Sequence, residues 1–105
     1  MDDYALLGIG KATSLIEHVH IDEGNGVVVL SCLYDPQGVK IPYKLLFKGC
    51  RVLSWETYPL PGEQILPADL MGISLGADKQ RKPAVITTDT FELSFLYDNF
   101  ILERS

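Results

Sequence analysis

A chain of 105 residues, 47% hydrophobic and 22% charged, has room for one domain around one core and is too apolar for wholesale disorder. Its formal net charge of −5 and pI near 4.8 argue against a nucleic-acid surface, which needs Lys and Arg concentrated against phosphates. No run approaches the roughly 20 apolar residues of a membrane helix. The start, Met1-Asp2-Asp3-Tyr4, is acidic where a secretory signal is basic, and the apolar run after it is broken by Gly8 and Gly10, so a cytoplasmic protein is expected.

In chain order, residues 2–7 suit a short helical turn that Gly8 and Gly10 end. Residues 15–22 read as a strand, with Leu15, Glu17, Val19 and Ile21 on one side and Ile16, His18, His20 and Asp22 on the other. Glu23-Gly24-Asn25-Gly26 is a turn leading into residues 27–34, which are apolar on both parities and suit a central strand covered on both sides. Asp35-Pro36-Gln37-Gly38 carries β-turn chemistry. The next strand alternates cleanly, with Val39, Ile41, Tyr43, Leu45 and Phe47 on one face and Lys40, Pro42, Lys44 and Lys48 on the other. Each buried apolar side chain is worth about 1.5–3 kcal/mol, so that face fixes the strand's orientation. Pro42 cannot donate to a ladder and places the strand at an edge or beside a bulge.

Gly49 marks a bend before a strand over residues 51–57. Pro59, Pro61, Gly62 and Pro67 make residues 58–69 a loop, with one helical turn at 68–70. Met71, Ile73 and Leu75 alternate as a short strand. Lys79-Gln80-Arg81-Lys82 is a solvated loop, and residues 84–88 are β-branched and strand-like. The last residues read as a hairpin turning at Asp98-Asn99, which pairs Tyr97 with Phe100, Phe95 with Leu102 and Leu93 with Arg104. The sum is a mainly β, single-domain protein spanning residues 1–105: an antiparallel β-sandwich or small barrel of about eight short strands, with at most a short N-terminal helix.

Chemistry-bearing patterns are sparse. His18, His20 and Asp22 alternate along one strand, so two imidazoles and a carboxylate project together, which is the start of a metal shell without further ligands. Cys32 and Cys50 sit in apolar segments and read as buried thiols. No nucleophile elbow, phosphate loop or dinucleotide fingerprint is present, and Asp69, Asp78, Asp89 and Asp98 fall in turns. No catalytic residue and no cofactor is therefore assigned. Trp55, Tyr58 and Leu60, an aromatic pair running into a Pro-rich loop, are the best partner-binding candidates, since Trp and Tyr are favoured interface anchors. The competing placement buries Trp55 behind Leu53 and leaves Tyr58 at the rim.

The segment from His18 to Asp22, the Lys44-Leu45-Leu46-Phe47-Lys48-Gly49-Cys50 strand with its bend, Leu70-Met71-Gly72-Ile73 and the Phe91-to-Glu103 segment together resemble small all-β bacterial families. These include cytosolic immunity proteins of toxin systems and uncharacterised relatives. The resemblance is one of strand pattern and implies a binding role without catalysis; it transfers no site residues. The expectation is a non-enzymatic cytoplasmic module that binds a protein partner or itself, with a homodimer allowed by an exposed edge strand. The alternatives are a metal-binding protein or metal-dependent enzyme built on His18 and His20, and a small-ligand carrier using an interior lined by Phe47, Phe95 and Tyr97.

Overall fold

The computed structural model describes residues 12–60, 62–76 and 82–104. Eight strands form one antiparallel sheet: β1 (Ser14–Asp22), β2 (Val27–Tyr34), β3 (Ile41–Lys48), β4 (Arg51–Thr57), β5 (Ala68–Ser74), β6 (Ala84–Thr88), β7 (Phe91–Leu96) and β8 (Asn99–Arg104). The described residues contain no helix, and hence none long and apolar enough to cross a membrane. The helical turn expected at 2–7 and the basic run at 79–81 lie outside the described residues.

The sheet runs β4-β7-β6-β5-β1-β2-β3-β8. Its two outer strands belong to one ribbon. β3 and β4 are separated only by Gly49 and Cys50, and β7 and β8 only by Tyr97 and Asp98. Rungs between the two halves keep one register from Tyr43↔Arg104 through Lys48↔Asn99 to Arg51↔Leu96. The ribbon folds at that corner and closes the sheet into a small barrel of six long staves, two of them bent. Among the described residues, closure leaves each half of the ribbon with one edge that pairs with no strand: the far side of β4 and the far side of β8.

This ribbon corrects the terminal hairpin. β7 pairs with β4 and β6, and β8 pairs with β3, so Phe100 lies opposite Phe47 and Leu102 opposite Leu45. Tyr97 and Asp98 make a corner between two neighbourhoods. Alternation with a period of two fixes which face a residue takes, and β3 offers β8 the same parity that β7 would have. Pro42 likewise sits in a strand flanked on both sides; it precedes the first rung with β8, at Tyr43, so β3 is no edge. Val39 lies in the preceding turn, and the buried face of β3 is Tyr43, Leu45 and Phe47.

Bulges explain the other departures. Ile16 pairs with Cys32 and His18 with Ser31, so Glu17 is an extra residue and the inward parity passes from Ile16 to Val19 and Ile21. Leu70 pairs with Thr88 and Gly72 with Thr87, which throws Met71 out to solvent, and residues 68–70 extend β5 where a helical turn was expected. In β2 only Val28, Leu30 and Cys32 are fully buried; the second face is half-covered.

Phe47, Phe95 and Tyr97 meet inside the barrel, edge to face, with centroids 4.8 and 5.2 Å from Phe47, and Phe100 stacks on Phe47 at 4.9 Å. The rings named as the lining of a carried ligand's space pack against one another. Among the described residues every buried side-chain nitrogen and oxygen has a hydrogen-bond partner. The Tyr43 hydroxyl donates to Ser14 Oγ at 2.7 Å, and Thr88 Oγ1 accepts from the Phe91 N–H at 2.8 Å while donating to the Phe91 carbonyl at 2.9 Å.

Cys32 belongs to this core, and burial pushes its thiol from the usual 9.0 up to about 12. The unfolded thiol ionises first, so this group's contribution to stability is intact below pH 9 and declines as pH rises toward 12. Urea unfolding should show wild type losing roughly 2 kcal/mol more than Cys32→Ala between pH 8 and about pH 10.5. Parallel losses in the two proteins would contradict this placement of the thiol.

Candidate functional site

The corner of the ribbon is set by Gly49, whose φ of 71° and lack of a side chain let the Asp98 carboxylate lie against it. Arg51 Nη1 donates to the Gly49 carbonyl at 2.9 Å and to Asp98 Oδ1 at 3.0 Å, and the Cys50 N–H donates to the Gly26 carbonyl at 2.8 Å. The ion pair is half exposed, so its energetic value is small, of order 0–1 kcal/mol, and its role is to orient the corner.

Beyond the corner β4, like β8, has no fully buried residue. A bulge places Val52 and Leu53 opposite Phe95, and Val52 takes φ 53°. Bulges ordinarily put glycine there; a β-branched residue in the left-handed region carries strain of order 1–3 kcal/mol. Its side chain gains no burial in return, being 76% exposed. Sequence reasoning missed Val52, because only its backbone angle distinguishes it.

Trp55 lies opposite Leu93 on the inward side, where one face of the indole stacks on buried Phe91 at 4.6 Å and 18°. It is still 38% exposed. The placement is therefore neither a core tryptophan nor a loose surface one: the ring is held rigid from below and open above. Tyr58 is 51% and Leu60 72% exposed, so each of the three residues expected to bind a partner has open surface along the rim that β4 begins, with Trp55 and Tyr58 on opposite parities of the chain. Glu63 Oε1 accepts from the Leu60 N–H at 2.8 Å and fixes the start of the loop.

The electrostatics of this rim are acidic. Glu56 sits directly opposite Glu92, a like-charge cross-strand pair that opposes strand pairing. Loss of solvent, and then the fields of Glu92 and Glu56, push the Tyr58 phenol above its ordinary value. A cleft of about 330 Å³ lies beside the first residues of β4; its walls include Asp22, Glu23 and Val28 from the β1–β2 hairpin and Cys50, Val52 and Leu53 from the ribbon. Burial raises the Cys50 thiol above its usual value, so it is a poor nucleophile at neutral pH.

His18 and His20 do project to one exposed face of β1, as alternation requires. Asp22, however, is engaged by the next turn, accepting from Asn25 Nδ2 at 2.8 Å and from the Asn25 N–H at 3.2 Å. That side-chain hydrogen bond, then the backbone one, holds its carboxyl below the usual range. Among the described residues no three His, Cys, Asp or Glu side chains gather as a metal group. Asp69 and Asp89 tie β5 to the β6–β7 turn, the Asp69 N–H donating to Asp89 Oδ1 at 2.9 Å. Compared with protein-family models, curated proteins and solved structures, the chain matches none.

Proposed function

We propose that the protein is a non-enzymatic cytoplasmic module that binds a protein partner through β4 and the residues after it, in the manner its resemblance to immunity-like families implies. One observation carries this reading. β4 buries no residue and exposes Val52 and Trp55, with Tyr58 and Leu60 just beyond it; β8 also buries none, but among the described residues its one exposed large hydrophobic is Ile101. Exposed aromatics backed by rigid packing are the typical anchors of interfaces. The free thiols, Cys32 buried and Cys50 half-buried, fit a reducing compartment.

The test is a double variant, Trp55→Ala with Tyr58→Ala, assayed against a partner recovered from cells of the source, remade pure and titrated by calorimetry. Loss of affinity with retained far-UV circular dichroism and cooperative unfolding supports the reading. Undiminished affinity places the interface elsewhere and rejects it.

A further inference from the structure

We propose that β4 accepts an extended segment of a basic polypeptide as an added strand, laid along its free edge with cationic side chains against the surrounding carboxylates. This rests on the binding role proposed above and names its mode and the chemistry of the partner. The backbone supplies the first argument. The Tyr58 N–H donates to the Thr90 carbonyl at 2.9 Å. Antiparallel alternation then turns Glu56 and Tyr58 toward β7, and turns the N–H and C=O groups of Trp55 and Thr57 outward. Among the described residues no strand pairs with that side of β4.

Topology places the edge beside the cleft. β4 continues from β3, and its far side continues the side of β3 that pairs with β2. After the corner β4 leaves β2, which opens the cleft walled by Asp22, Glu23 and Val28. An incoming strand there gains backbone hydrogen bonds from Trp55 and Thr57 and apolar contact with Val52 and Leu53.

Charge decides the occupant. Asp22 and Glu23 border the cleft, and Glu56 and Glu92 repel each other across β4 and β7. The one cation within β4, Arg51, is engaged by Asp98. A Lys or Arg brought in by a partner relieves the Glu56–Glu92 repulsion, which an acidic or neutral strand leaves in place. A second copy of this chain is the wrong occupant on the same ground, because pairing two β4 edges gathers both Glu56–Glu92 pairs at one seam. The usual defences of an edge are weak here: from Leu53 to Thr57 there is no Lys and no Pro.

Trp55 is the only tryptophan in the chain, so its fluorescence reports on this edge directly. The probes are three capped seven-residue peptides: one alternating lysine and valine, one alternating glutamate and valine, and the lysine peptide N-methylated along its pairing edge. The lysine peptide should shift Trp55 emission saturably and slow amide exchange at Trp55 and Thr57, while the other two do neither. Glu56→Gln with Glu92→Gln should weaken that binding roughly tenfold or more. The proposal is overturned if no peptide binds, if the N-methylated or glutamate peptide binds equally, or if light scattering shows a dimer whose Trp55 and Thr57 amides are already protected. Peptide failure together with partner loss in the Trp55→Ala/Tyr58→Ala variant rejects strand addition and leaves the binding role standing. Peptide binding with partner affinity unchanged in that variant does the reverse.

Discussion

Phe47→Ala is expected to lower the free energy of unfolding by about 3–5 kcal/mol. Phe47 is fully buried, opposite Val28 on one neighbour and Phe100 on the other, and its ring touches those of Phe95, Tyr97 and Phe100. It stands one residue before the end of β3, where the ribbon folds. Truncation therefore removes the ring around which the corner closes, and the three partner rings cannot collapse into the space without moving both halves of the ribbon. Against a total stability of roughly 5–15 kcal/mol for a domain of this kind, the loss leaves the protein marginal. The melting temperature should fall by about 12 °C or more. Thermal and urea unfolding measure it, with Ile101→Ala, on a half-exposed site of β8, as the control that changes little. A loss below about 1 kcal/mol would mean that the barrel is not closed around this cluster.

The double variant Trp55→Ala and Tyr58→Ala is expected to separate folding from binding. Tyr58 is half exposed and outside β4, so its loss affects stability little. Trp55 gives up its stack on Phe91, a cost of about 1–2 kcal/mol for a partly buried ring pair. Partner affinity should fall by at least about 2 kcal/mol, or roughly 30-fold, because interface energy concentrates in such anchors. The single variant Leu60→Ala, in the loop just after Tyr58, should cost less, since truncating Leu at interfaces seldom matters as much. Equal losses in stability and in binding would assign Trp55 to the core, and the interface to some other surface.

Much of the fold is legible in the residues themselves. The alternation in 41–48 and 91–96 gives strands with the observed faces, and the turn chemistry at 23–26 and 35–38 gives their ends. What alternation cannot give is the neighbour. Phe95 and Leu102 suit each other as well as Leu102 suits Leu45, and only the closed ring decides between them. Each bulge also hides as a contradiction of parity. Ile16 and Val19 both need the core, yet lie three residues apart, which an extra residue at Glu17 reconciles. The site divides the same way. Trp55, Tyr58 and Leu60 are legible because their residue types are interface types. The free edge, the strained Val52 and the Glu56–Glu92 pair emerge only from strand order, since whether a strand is an edge depends on residues distant in the chain.

Everything argued about function depends on β4 having an open side. Residue-resolved hydrogen exchange of the isolated protein tests it most directly. The amides of Glu56 and Tyr58, which face β7, should exchange at least about a hundredfold more slowly than those of Trp55 and Thr57, which face solvent. Uniform protection along all four, matching that of Leu45 and Phe47 in β3, would contradict an unpaired edge and the binding role built on it.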